Sequence, residues 1–418
     1  MGFDTQFEES IGARVKGSAS ASPAYGLSLA CEIRILYFIA RKREMNTIFI
    51  ECFGNLTDPR VERTKKHLLL DIIALSISGI LSGAETWEEV EDFAQEHQAW
   101  FSSFLSLPNG IPSHDTMSRA FSLLNPQEFQ SSSMTWLKRI SSLVPENIIP
   151  IDGKALCGSA RKNACKKALH IINAWSCANG LCLGQLKVDD KSNEIPAVPE
   201  LLKLLYIKGA IVTLDAMGAQ EETVKQICEA EADYVIALKG NQGTLHELVK
   251  DSFILKDQGS HVLDVYKAKD EMNADHGRIE ERFIEVIPAI QLKDCIDPRW
   301  EKLNSLARIT YTRTEQNTVV KEHRHYISSL LPDKPEAILN AIRAHWQVEN
   351  CLHWSLDVTF REDNSRIRDE NAAVNMSWLR KLSLGLLKND TSFKASIRRK
   401  QRKICTNLEY LAKIIGQI

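Results

Sequence analysis

The chain has no Cys-x-x-Cys pair, no long uninterrupted apolar run, no excess of charge, no long low-complexity tract and no internal repeat. Each absence excludes something. Ten cysteines are scattered over 418 residues. Cys177 and Cys182 lie close, but no histidine or second cysteine pair completes a zinc set. The thiols read as reduced and structural, as in a cytoplasmic protein. The apolar stretch from Leu27 to Ala40 is interrupted by Glu32 and Arg34. It is too short and too charged to span a membrane. It also starts too far in, without a small-residue cleavage site, to be a signal peptide. The sequence therefore predicts a cytoplasmic protein with no membrane partner. A net charge of −2 leaves no global basic field, so any nucleic-acid contact must come from local patches.

What remains is ordinary globular composition, 44% apolar and 25% charged. The length suits two or three domains. Residues 1–44 differ from the rest, with Gly, Ser and Ala clustered at 12–30. Met45 reads like a natural start, and 1–44 is expected to be a poorly packed extension. Residues 45–142 read as a small helical domain. Lys66 to Leu81 carries a broad apolar face, Thr86-Trp87-Glu88-Glu89 reads as a capping box, and Ser113-His114-Asp115-Thr116 precedes another helix.

From about 145 to 387 the period changes. Ile148–Ile151 reads as a strand ended or interrupted by Asp152. Leu169–Trp175 and Leu181–Val188 follow, separated by an Asn-Gly hairpin signal at Asn179-Gly180. Helices are expected at 199–205 and 220–230, and strands at 210–214, ending at Asp215, and at 234–238. This is an α/β pattern with a mixed sheet. Residues 244–330 read as a mostly β insertion, with β-like runs at 262–266, 282–286, 306–311 and 324–327. Helices return at 334–387. Residues 388–418 read as a basic tail, with its charge at 394–403.

Chemistry concentrates at three acids. Asp152 precedes Gly153, which admits close approach, and Lys154, a nearby cation. Asp215 sits where an apolar strand gives way to a loop, the end of an open sheet where ligands gather. Glu349 lies on an expected helix with His345, His353 and Asp357 at four-residue steps, on one face. Trp346 and Leu352 read there as core. Three carboxylates from two strands and a later helix suit a two-metal phosphoryl-transfer site. Taken singly, each is equally a turn, a cap or a solvated acid.

Five motifs recur in order: Ile151-Asp152-Gly153-Lys154-Ala155-Leu156-Cys157-Gly158-Ser159, Thr213-Leu214-Asp215-Ala216, Tyr234–Gln242, His276-Gly277-Arg278-Ile279-Glu280, and His345–Asn350 through Leu356-Asp357-Val358. Together with 58–125 they resemble DDE transposases of the H-repeat-associated, ISAs-type insertion-sequence family, over roughly 50–390. The resemblance implies an RNase H-like fold. It implies Asp152, Asp215 and Glu349 as acids holding Mg²⁺ or Mn²⁺, two ions per site, with Asp357 a rival for the third place. It also implies cleavage at the element's terminal inverted repeats and strand transfer into target DNA by a homodimer. Competing readings are a nuclease that does not join, and a silent DNA-binding relic.

The Arg and Lys phosphate contacts of broader DDE transposases have no direct match here, since His345 falls where the Arg would sit and Leu356 at the Lys position, with Ile342 where a Tyr would sit. Arg343, His345 or His353 would substitute. Lys154, Lys239, Asn241, His276 and Arg278 are further candidates to face DNA. Against this, Lys239 and Asn241 also suit a strand-ending turn, and His276 and Arg278 a polar β-turn.

Overall fold

The computed structural model describes residues 47–145, 147–160, 168–188, 194–259, 262–270, 273–275, 278–315 and 318–416. The first segment, 1–44, lies outside them. The chain divides at Glu51/Cys52, and every element named below belongs to the second unit.

Four helices of ten residues or more come first: α1 (Leu69–Ser82), α2 (Trp87–Glu96), α3 (His114–Leu123) and α4 (Pro126–Ile140). Local chemistry sets their starts. The Thr86 hydroxyl accepts from Glu89 N at 3.3 Å, and the Glu89 carboxylate accepts from Glu85 N at 2.6 Å. Ser113 caps α3, and Asn125, followed by Pro126, caps α4.

One ten-stranded mixed sheet follows, with strand order β3-β2-β1-β4-β5-β10-β9-β8-β6 and β7 paired to β8. Its first half is β1 (Ile148–Leu156), β2 (Leu169–Ser176), β3 (Leu181–Val188), β4 (Ile211–Leu214) and β5 (Asp233–Leu238). The β1-β2-β3 pairings are antiparallel, and the β1-β4-β5 pairings are parallel. Parallel neighbours need a crossover, and two helices supply it: α5 (Glu194–Lys203) and α6 (Glu221–Glu229). Ile149, Ile151, Val212, Leu214 and Ile236 form one apolar face with residues of these helices. Residues alternate along a strand, so Ile148, Ile211, Val235 and Ala237 face the other way. They pack on Ile338, Leu339, Ala341 and Ile342 of α8 (Pro335–His345).

Residues 244–330 hold most of α7 (Gly243–Asp257) and then β6 (Tyr266–Lys269), β7 (Asn273–Asp275), β8 (Arg278–Pro288), β9 (Ser305–Glu315) and β10 (Thr318–Ser328). These strands extend the same sheet, because β10 pairs antiparallel with β5. The run expected at 262–266 begins as a strand only at Tyr266, and Val262 is 84% exposed.

A 20-residue helix, α9 (Glu370–Asn389), is buried almost all round. Such a helix needs cover on every side. It packs on α1, α3, α4 and β3. Asn375 Nδ2 donates to Phe121 O and Leu124 O, both at 2.9 Å, and Lys381 Nζ donates to Gln185 Oε1 at 2.5 Å. The segment expected as a basic tail contains α10 (Ile397–Thr406) and α11 (Leu408–Ile415), and Ile404, Leu411 and Ile414 are buried. No single described helix is long and apolar enough to cross a membrane.

Candidate active site

Sheet register builds the site. Ile151 of β1 pairs in parallel with Leu214 of β4. Asp152 and Asp215 are each the next residue, so they sit where this pairing ends, between backbones that run about 4.8 Å apart in the sheet. The expectation that Asp152 ends its strand is corrected: β1 runs through it to Leu156, and it is β4 that stops. Asp215 turns the chain out of the sheet by accepting from Met217 N at 3.0 Å and Gly218 N at 3.3 Å.

Glu349 arrives from the far side. After α8 the chain makes a wide π turn, Val348–His353, and then a short helix, Trp354–Val358. Such turns break the regular helical hydrogen-bond spacing. The segment still runs along β1. His353 Nδ1 lies 3.7 Å from Asp152 Oδ2, and Lys154 Nζ lies 2.6 Å from Asp357 Oδ1. Four residues of helix rise about 6 Å and two of strand about 6.6 Å, so the two contacts stay in step. Asp357 is thus one step beyond Asp152. It is paired with Lys154, which also lies 3.6 Å from Asp363.

Asp152, Asp215 and Glu349 line one cavity of about 540 Å³, together with Thr213, Lys239, His345 and Trp346. Among the described residues, no Lys or Arg pairs with any of the three acids. Burial pushes the Asp152 carboxyl up to about 7, helped by repulsion from Asp215, Glu349 and Glu194 and opposed by the Gly153 N–H. His353 offers no positive charge in return. Burial lowers it to about 3, with Lys154 and Lys381 adding repulsion. His345 is likewise lowered by burial, and its Nδ1 is 2.9 Å from Thr213 Oγ1. Three oxygen donors with unbalanced negative charge suit a hard divalent cation. Among the described residues, no group of three or more His, Cys, Asp or Glu side chains has drawn together as a closed ligand set.

The other expected residues divide. Lys239 is exposed in the cavity wall. Asn241 Nδ2 donates to Ala216 O at 2.6 Å, tying the loop after β5 to the loop that carries Asp215. Arg343 lies outside the cavity lining and pairs with Asp270 at 2.6 Å. His276 and the Arg278 side chain lie outside the described residues. Trp346, expected in the core, is 41% exposed in the cavity wall, whereas Leu352 is fully buried.

Sequence reasoning missed the opposite wall. His323, Arg324, His325 and Tyr326 of β10 line it, with His246 of α7. Arg324 lies 4.9 Å from the Tyr311 ring centroid and 5.8 Å from that of Trp346. A visible signal was the run Lys321-Glu322-His323-Arg324-His325, polar at every position where a half-buried strand would alternate. Glu194 and His170 were missed too. They touch each other beside Gly153, where a Cβ would lie 2.6 Å from His170 Nε2.

Comparison with known proteins gives two family matches. The Transposase DDE domain model matches residues 145–386, and the DDE_Tnp_1-associated model matches residues 50–137. The protein named "H repeat-associated putative transposase YhhI" of Escherichia coli K12 is 39% identical over 371 residues, covering 88% of this chain and 97% of that one. "Putative transposase YncI" of Escherichia coli O157:H7 is 36% identical over 365 residues, covering 86% and 92%. A solved piggyBac transposase synaptic complex with hairpin DNA covers 90% of this chain and 78% of its own at 12% identity. Its TM-score of 0.38 is too low to carry an argument.

Proposed function

Because the chain belongs to the transposase DDE-domain family, we propose that it cuts DNA at the ends of its insertion sequence and joins the freed 3′-hydroxyl to target DNA. The observation that supports this most is the shared cavity of Asp152, Asp215 and Glu349. The order β3-β2-β1-β4-β5, antiparallel then parallel, supports an RNase H-like reading of the core.

Asp152, Asp215 and Glu349 would hold Mg²⁺ or Mn²⁺, two ions per site. When bound, such ions supply the charge that activates an attacking oxygen and stabilises a leaving one. The chain's own residues do the positioning. Thr213 holds His345 against β4, and Asn241 fixes the Asp215 loop. Lys239 and Arg324 face the cavity with positive charge suited to phosphate. The pairing of Lys154 with Asp357 clamps the Glu349 segment along β1. Water and a DNA 3′-hydroxyl serve in turn as nucleophiles, so no covalent protein–DNA intermediate forms. The working form in this reading is a cytoplasmic homodimer that bridges two inverted repeats.

A strand-transfer assay tests the reading. Precut ends carrying the gene's flanking repeats are mixed with a plasmid target and Mg²⁺. Joined product supports it. Cleavage of uncut ends without joining would replace it with a simple nuclease, and binding without either reaction with a silent DNA-binding protein.

A further inference from the structure

The C-terminal helices carry a surface that the cavity does not use. We propose that Lys394, Arg398, Arg399 and Arg402 form a second DNA-contacting face, which follows the phosphate backbone of duplex DNA away from the catalytic cavity. The choice of ligand rests on the transposase reading above.

The basic run is sorted by side. Lys400, Gln401 and Ile404 of α10 are buried. Lys400 Nζ donates to Leu387 O at 2.7 Å and to Asp390 O at 2.5 Å, and it lies 3.6 Å from Asp390 Oδ2. Tyr410 of α11 donates to the same carboxylate at 2.6 Å. Cys405 Sγ reaches Ser82 O of α1 at 3.1 Å. One cation therefore anchors the helix, while Lys394, Arg398, Arg399 and Arg402 are exposed on its outside.

A merely solvated basic helix usually carries acids at neighbouring positions, which pair with its cations. Here no described carboxylate pairs with Lys394, Arg398, Arg399 or Arg402: Asp390 is turned inward, and the exposed Glu409 of α11 pairs with none of the four. Arg398 and Arg402 stand one turn apart, about 6 Å along the helix. Phe393 orders the adjacent heads: its ring centroid is 5.5 Å from the Arg399 guanidinium and 4.2 Å from the Lys403 ammonium. Cations already held in place lose less freedom on binding. In a chain of net charge −2, this row fits a regular polyanion, and each phosphate it meets releases condensed counterions.

The experiment measures affinity against salt concentration for two labelled duplexes of equal length, one with the gene's flanking repeats and one scrambled. Wild type is compared with Arg398→Ala/Arg402→Ala. The expected result is weaker binding to both duplexes and a log–log salt slope shallower by about 1.8, roughly 0.9 per lost phosphate contact. Arg398→Gln/Arg402→Gln, which keeps long side chains and good helix formers, is expected to give the same slope. Arg398→Lys/Arg402→Lys is expected to retain most of the wild-type slope. Wild-type binding with an unchanged slope in both neutral variants would overturn the surface and leave the transposase reading standing. No binding of either duplex by wild type would overturn both.

Discussion

At the residue scale, the site depends on small side chains beside charged ones. Gly153 follows Asp152 on β1, and a Cβ there would press on both His170 and Glu194. His170 is buried and Glu194 half-buried, and each holds the other in place, so Gly153→Ala is expected to cost about 1–3 kcal/mol by overpacking. Urea unfolding would measure this, and an unchanged midpoint would show that the His170–Glu194 pair is free to move. Thr213→Val tests the support of His345. It removes one hydrogen bond to a half-buried ring, worth about 1 kcal/mol. Its expected signature is slower DNA cleavage with DNA affinity unchanged. Equal losses in both would mean that Thr213 acts on binding instead.

Asp152 and Asp215 could be placed from the sequence because their strands were legible. The run Ile211–Leu214 gives a buried strand, and the residue after it falls at the sheet's end. What a linear reading lacks is the partner. Nothing local in His170, Glu194 or Arg324 says which strand or helix stands opposite. Trp346 was misread for the same reason, since its helical position suits a core but the neighbouring wall stops short of covering it. Asp357 shares the histidine–glutamate face in sequence, but only the sheet register reveals that Lys154 is its partner.

At the scale of elements, the long hairpins are pinned to α7 by an ion cluster whose centre, Arg308 and Glu285, is buried while Asp257 is exposed. Arg308 of β9 binds Asp257 at 2.6 and 2.9 Å and Glu285 of β8 at 2.5 Å, and Lys256 also reaches Glu285. Burial alone would raise the Glu285 carboxyl, but hydrogen bonds from Lys256 and Arg308 outweigh it and hold it below the usual range. Removing Arg308 leaves a buried carboxylate with less compensation. Arg308→Met is expected to cost up to roughly 3–5 kcal/mol, less what Lys256 recovers. A carboxyl held low stabilises the fold above its unfolded pKa, and that contribution is lost as pH falls through its folded value. The gap between wild type and variant should therefore be full near neutrality and shrink below about pH 4. A gap that grew on acidification would contradict this account of the cluster. The π turn at 348–353 was not legible, because side-chain periodicity does not report which carbonyl each N–H reaches.

At the scale of the whole second unit, its first and last helices pack together. α9 lies between the first helices and β3, and α10 packs on α1, so the helical start and the sheet share cover. The sequence suggested separable segments because each has its own periodicity. Burial of Asn375 and Lys381 against distant backbone or side-chain oxygens depends on folding the whole. Deleting 394–418 is expected to lower the thermal midpoint of the entire second unit. Circular dichroism and tryptophan fluorescence should then shift together. A loss confined to one probe would show that the helical region unfolds by itself.

Joint action of Asp152, Asp215 and Glu349 as one site is what the proposed chemistry requires. It is tested most directly by cleavage of DNA carrying the gene's own flanking repeats, with Mg²⁺ or Mn²⁺, comparing wild type with Glu349→Gln. Metal-dependent cleavage by wild type is expected, and none by the variant although it still binds the repeats. Equal cleavage by both would contradict it and move the third acid away from Glu349.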